Sequence, residues 1–188
     1  MKMVFTAVVL ASALLAQDAG KPGAKVQSIP VADLTGKPSA IATPGQVTAV
    51  VFLSARCPVS GAYNERMEAI YKDYQSRVKF VFINTNSNEP AAEVANHARE
   101  HGFTFPVWRD PHNAAADLFA AQVTPETWVI GKDGIIAYHG RIDDAQTEGR
   151  VTVKNLRQAL DEVLRGGKVS VPEAKACGCT GKRGPKTL

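Results

Sequence analysis

Val50-Val51-Phe52-Leu53-Ser54-Ala55-Arg56-Cys57-Pro58-Val59-Ser60 is the stretch that decides how this chain is read. Residues 48–53 are almost continuously apolar, as expected of a strand buried on both faces. A short turn follows. Pro58 then opens a helix, because proline suits the first helical position. Cys57 therefore falls near the N-cap. There the helix dipole and free backbone N–H groups stabilise a thiolate, which is the reactive form of cysteine. Arg56 adds a positive charge beside it. The alternative is a cysteine that merely fills core space. A position past the strand end, between Arg56 and Pro58, favours thiol chemistry.

Outward from this point the chain alternates. Residues 29–34 read as a short leading strand, with a turn at 35–38. Residues 58–75 form an amphipathic helix with Tyr63, Met67, Ile70, Tyr71 and Tyr74 on one stripe. A strand at 78–83 and a polar loop at 84–88 lead to a helix at 90–100, whose narrow inner face carries Ala91, Val94, Ala95 and Ala98. Residues 102–107 return toward the sheet, and 113–121 form a short helix. The strand at 127–130 follows Val123-Thr124-Pro125-Glu126. Asp133-Gly134 is a favoured hairpin turn into a strand at 135–139. A final helix at 152–165 ends at Gly166-Gly167. The expected fold is α/β, a mixed central sheet flanked by helices, with a β-hairpin before the last helix.

The chain has 188 residues, enough for one domain with a core plus tails. Its net charge of +4 comes from scattered residues, 22 basic and 18 acidic, so no nucleic-acid footprint is expected. Lys2 precedes an apolar stretch at 4–15 and small residues suited to cleavage. Residues 1–16 thus read as a secretory signal peptide, too short for a comfortable membrane span. The expected organisation is a signal at 1–16, a linker at 17–27, one domain at 28–167 and a flexible cysteine-containing tail at 168–188. The location implied is periplasmic or extracellular, with no stable membrane span after cleavage. Export means an oxidising compartment, where disulfides persist. The three cysteines, Cys57, Cys177 and Cys179, are an odd number, which flags an exchanging thiol.

The order of elements, with Cys57-Pro58 opening the first core helix and Thr124-Pro125 preceding the hairpin, resembles the thioredoxin-like fold. More narrowly it resembles exported redoxins of the alkyl hydroperoxide reductase and thiol-specific antioxidant type. The matching stretches are 52–60, His97-Ala98-Arg99-Glu100-His101-Gly102-Phe103-Thr104-Phe105-Pro106-Val107, Val123-Thr124-Pro125-Glu126-Thr127 with Asp133-Gly134, and Gly140-Arg141-Ile142-Asp143-Asp144. The resemblance implies that Cys57 is the nucleophile and that Pro125 is a cis-proline facing it, exposing a backbone edge to which substrate can pair. It also implies a thiol-dependent enzyme needing no cofactor, with protein thiols and disulfides, or peroxide, as substrates and an external thiol as reductant.

The departures are specific. The usual second cysteine is Ser60, so no disulfide can form within the motif. Peroxidatic sites read Pro-x-x-x-Thr-x-x-Cys, and here Val50 and Ser54 stand at the first two places. Ser54 could hydrogen-bond a thiolate or peroxide, or cap the turn. Arg56 or Arg141 could polarise a peroxide. Cys177-Gly178-Cys179 offers three options: a disulfide of its own, an inert one, or a resolving thiol that attacks Cys57 after oxidation. Three functions follow: a monothiol oxidoreductase resolved by Cys177 or Cys179, a thiol peroxidase passing through a sulfenic acid, and a copper-binding protein using the tail thiolates. The pair His97 and His101 has the i, i+4 spacing of helix-borne metal ligands.

Overall fold

The computed structural model of the chain describes residues 19–185. The leader at 1–16 lies outside these residues. Among those described, no helix is long and apolar enough to cross a membrane.

Strand β1 (Ser28–Ala32) turns back as β2 (Pro38–Ala42), an antiparallel pair. Asp33 closes the turn by accepting the N–H groups of Thr35 (2.9 Å) and Lys37 (3.0 Å). The sequence predicts the turn at 35–38 but no strand after it. β2 is mostly exposed and begins with proline, which is tolerated only on sheet edges or at strand starts, so it lacks the apolar pattern of a core strand.

The run at 48–53 becomes β3 (Thr48–Leu53), buried at every position. Its side chains alternate, as strand geometry demands. Ala49, Val51 and Leu53 enter one core, and Val50 and Phe52 enter the other. Next come α1 (Pro58–Gly61), α2 (Asn64–Tyr74), β4 (Lys79–Asn84), α3 (Ala91–Glu100), β5 (Val107–Arg109) and α4 (Ala114–Leu118). They are followed by β6 (Val123–Thr124), β7 (Glu126–Ile130), β8 (Ile136–Gly140), α5 (Asn155–Leu164), β9 (Glu173–Ala174) and β10 (Cys179–Thr180). The main sheet runs β2-β1-β5-β4-β3-β7-β8-β9. β4 is parallel to β3 and β5, whereas β7 and β8 are antiparallel, so the sheet is mixed. Met67, Ile70, Val94, Leu156 and Leu160 from α2, α3 and α5 cover one face. Ala115 and Ala116 of α4, with Phe119, cover the other. This is the α/β arrangement expected.

On the α4 face Phe52 meets Trp128 and Phe119 edge-on, with ring centroids 5.5 and 6.0 Å apart. All three rings are sealed from solvent. Phe52→Ala is expected to cost about 3–5 kcal/mol, because the rigid neighbours cannot collapse into the space; denaturant unfolding measures it.

Two expected segments differ. The single helix at 58–75 is two helices. Gly61 is a poor helix former, and the Tyr63 N–H bonds Ser60 O (3.0 Å), which tightens and ends the first turn. Tyr63 is buried, with the Arg66 guanidinium 3.8 Å from its ring centroid and itself bound to Asp143 at 2.6 and 2.8 Å. The tail, expected to be flexible, is laid against the domain as far as residue 185. β9 pairs with β8, aligning Glu173 with His139 and Ala174 with Gly140. That approach requires Gly140, since a Cβ there would sit 2.0 Å from the Ala174 carbonyl oxygen. β10 pairs with β6 in a second, two-stranded sheet.

Candidate active site

Strand β3 delivers the chain to Ser54, and the turn that follows places Cys57 as the N-cap of α1, with Pro58 opening the helix. The Cys57 sulfur accepts the Ser60 N–H at 3.3 Å. α1 is only a single turn, so the large helix dipole expected at this position is not what acts on the sulfur. A hydrogen bond to the charged form favours a thiolate directly, and the Ser60 N–H provides it.

Three polar side chains fix the turn. Ser54 Oγ accepts the N–H groups of Cys57 (3.0 Å) and Arg56 (3.2 Å), and Ser60 Oγ accepts the Ser54 N–H (3.1 Å). Ser54 spends its own proton on Glu89 Oε1 at 2.5 Å. Glu89 is buried and also accepts from Ala55 N (2.8 Å), Asn84 Nδ2 (2.5 Å) and Asn86 Nδ2 (2.7 Å). Burial pushes its carboxyl up, but the hydrogen bonds from Ser54, Asn86, Asn84 and Ala55 outweigh that, and its pKa lies below the ordinary value. A negative carboxylate is therefore built into the floor of the turn. Sequence reasoning missed Glu89. The only local signal is an Asn84-x-Asn86 loop just before Pro90, and nothing in it shows that the carboxylate reaches back to residue 54.

Across from Cys57 the Thr124–Pro125 bond is cis. The Thr124 carbonyl oxygen lies 3.2 Å from the Cys57 sulfur, where a thiol would donate to it. Glu126 holds this segment from behind. Its Oε2 accepts the N–H groups of Gln122 (2.7 Å) and Val123 (3.1 Å), and its Oε1 contacts His139 Nε2 at 2.7 Å. Glu126 appeared in the sequence only as the residue after Pro125.

Cys57 is bonded to Cys179, 122 positions along the chain, with Cα atoms 5.9 Å apart. Pairing of β10 with β6 sets Cys179 opposite Thr124 and Thr180 opposite Val123. Gly178 makes this approach possible, because a Cβ there would lie 2.1 Å from the Thr124 carbonyl oxygen. Cys177 is a free, exposed thiol. It lines a shallow cleft with Val59, Tyr63, Pro125, Arg141 and Lys175.

Other predicted site residues are placed differently. Arg56 is exposed, and its guanidinium grips Glu93 through Nε and Nη2, each at 2.6 Å. Arg141 donates through Nε to Asn155 Oδ1 at 2.9 Å. The tail cysteines are not joined to each other, so in this state they form no paired thiolate site for copper. Among the described residues no group of three or more potential ligands converges to hold a metal ion. The His97 and His101 rings lie 4.4 Å apart. His97 contacts Asn64 Nδ2 at 3.2 Å, and burial, then the neighbouring His101, holds its pKa below the ordinary value.

The architecture is shared with solved structures. A conserved protein of uncharacterised function from Geobacillus kaustophilus aligns with a TM-score of 0.79 at 23% identity, covering 89% of this chain and 95% of that one. A hypothetical protein from Sinorhizobium meliloti 1021 aligns at 0.76 with 26% identity, covering 88% and 94%. A thiol:disulfide interchange protein of the thioredoxin family from Chlorobium tepidum TLS aligns at 0.60 with 19% identity, covering 77% and 97%. Among curated proteins none matches the chain. The sequence profile of the AhpC/TSA family matches residues 21–139, well over half of the chain. Taken with the Cys57–Cys179 bridge, that match shows a thiol-dependent oxidoreductase with a thioredoxin-like redoxin domain, and the chain belongs to the AhpC/TSA family.

Proposed function

We propose that the protein is an exported thiol–disulfide oxidoreductase in which Cys57 is the nucleophile and Cys179 the resolving cysteine. The observation that carries this reading is the Cys57–Cys179 bridge, held by strand pairing against Thr124. The Cys57 thiolate attacks a substrate disulfide, forming a mixed disulfide and releasing one substrate thiolate. The Cys179 thiolate then attacks the Cys57 sulfur. The second substrate thiolate leaves, and the Cys57–Cys179 disulfide remains. The substrate gains two electrons, and an external thiol returns them to the protein. Ser60 positions the sulfur but does not resolve it. The leader-like residues 1–16 and the persistence of disulfides in oxidising compartments support export.

A peroxidase is the second reading, because a Cys57 sulfenic acid condensing with Cys179 yields the same bridge and water. Disulfide exchange is favoured by the turn itself. The one Ser54 proton is spent on Glu89, and Arg56 and Arg141 are engaged by Glu93 and Asn155. Ser54 and Arg56 thus have their donors committed away from a peroxide at Cys57, and Arg141 is turned toward Asn155 through its Nε.

Cys179→Ser removes the resolving thiol and separates the readings. Incubated with glutathione disulfide, this variant is expected to accumulate a stable adduct of one glutathione on Cys57, read by intact mass and peptide mapping. Wild type is expected to release it and close the Cys57–Cys179 bridge. Rapid one-oxygen gain at Cys57 under stoichiometric peroxide, with no glutathione adduct, would establish the peroxidase instead.

A further inference from the structure

The tail beyond Cys179 is gripped along its length. Gly181 N donates to Gln122 O (3.0 Å), and Lys182 N donates to Asn86 Oδ1 (2.7 Å). Lys182 O accepts from Ser87 N (2.8 Å) and Ser87 Oγ (3.0 Å). These contacts reach only the backbone of the tail, so they would hold any extended segment. Two other contacts are selective. Gly178 passes so close to Thr124 that a Cβ would meet its carbonyl oxygen at 2.1 Å. The Arg183 guanidinium donates to Asp117 Oδ1 at 2.7 Å and to the Ala121 carbonyl.

Disulfide exchange adds a geometric condition. The sulfur that Cys57 attacks must sit where the Cys179 sulfur sits now, because the bond formed is the same bond. A polypeptide substrate must therefore take up the place of the tail, and the β6 edge pairs it in the same direction. Once the bridge is reduced, the segment beyond Cys179 is held by a few exposed and half-buried hydrogen bonds and one surface ion pair, contacts that can open locally without unfolding the domain.

We infer that the strip running from Thr124 past Asn86 to Asp117 is a peptide-recognition groove whose resident ligand is the tail. In trans it takes an extended cysteine-bearing polypeptide with a glycine just before the cysteine and a basic residue four positions after it. This rests on the oxidoreductase reading above and names its substrate class. The tail and the substrate compete for one groove, and Asn86 links that groove to the turn. Asn86 Oδ1 accepts from the tail while its Nδ2 donates to Glu89.

The test uses the full chain with Cys177→Ser and Cys179→Ser, so that Cys57 is the single thiol. Blocked peptides carrying their cysteine as a mixed disulfide with thionitrobenzoate are the probes. Cys57 attacks the peptide sulfur, the peptide–thionitrobenzoate bond breaks, and the coloured thionitrobenzoate anion leaves. Gly-Cys-Thr-Gly-Lys-Arg is expected to react about fivefold faster than the same peptide ending in Glu. It should react roughly tenfold or more faster than one with Val before the cysteine, because of the clash with Thr124. Asp117→Lys, a change at an exposed carboxylate, should reverse the Arg-over-Glu preference. Arg183→Ala should speed every peptide by weakening the competing tail. Equal rates for all peptides, with a normal reaction of Cys57 toward Ellman's reagent, would overturn the inference and leave the oxidoreductase reading standing. A Cys57 inert to Ellman's reagent and to every peptide would overturn both.

Discussion

Cys57→Ser will abolish disulfide exchange, lowering turnover by on the order of a thousandfold or more, because a serine hydroxyl at neutral pH has neither the anionic fraction nor the nucleophilicity of a thiolate. The fold will survive the change. Cys57 caps a single-turn helix, and a serine oxygen can accept the Ser60 N–H in place of the sulfur. Loss of the Cys57–Cys179 bridge will free the tail, so Cys179 will become accessible to alkylating reagents without reductant. The measurement is insulin or glutathione disulfide reduction alongside thiol counting. Residual activity within tenfold of wild type would show that a tail cysteine can act alone, and Cys57 would lose its assigned role.

Glu89→Ala will be the most damaging substitution of a polar residue at the site. The carboxylate is the shared acceptor for Ser54 Oγ, Ala55 N, Asn84 Nδ2 and Asn86 Nδ2. Without it four donors around the turn lose their partner, and the expected loss is about 3–5 kcal/mol. For a domain of this size that is roughly 10 °C or more in thermal midpoint. Glu89→Gln keeps the shape and should cost less. The carboxyl titrates below its ordinary value of 4.5 in the folded protein. Its contribution is therefore fully present above that value and is lost as pH falls through the folded pKa. Wild type should lose more stability than Glu89→Gln between pH 5 and acid, about the range in which ordinary carboxylates protonate. Parallel stability curves against pH for the two proteins would show that Glu89 carries no such charge. Activity of Glu89→Gln reports positioning, since Glu89 reaches Cys57 only through Ser54.

Both predictions concern one turn, yet its parts were not equally legible. The apolar run before Cys57, and Pro58 after it, are local signals, because strand burial and helix entry are dictated by adjacent residues. The i, i+3, i+4 stripe of α2 was readable for the same reason, and Met67, Ile70 and Tyr74 are buried as that stripe requires. The break at Gly61–Tyr63 was not, since burial of Tyr63 beneath Arg66 depends on Asp143, far along the chain. In sequence Arg56 is simply a charge beside the sulfur. Proximity in sequence says nothing about where a long, flexible side chain points, and Glu93 on α3 captures the guanidinium.

The tail shows the division most clearly. An odd count of cysteines and the glycine between Cys177 and Cys179 marked it as reactive, without distinguishing a bridge of its own from one to Cys57. That choice required β10 to pair with β6, bringing together residues separated by 122 positions, and required Gly178 to pass the Thr124 carbonyl. Sequence alone therefore determined the α/β order, the central buried strand and a cysteine poised at a helix start, because each follows from neighbouring residues and their periodicity. Tertiary structure alone decided which cysteine faces Cys57, which carboxylate anchors its turn and what lies along the β6 edge. Those depend on long-range backbone pairing and burial, which no local pattern encodes.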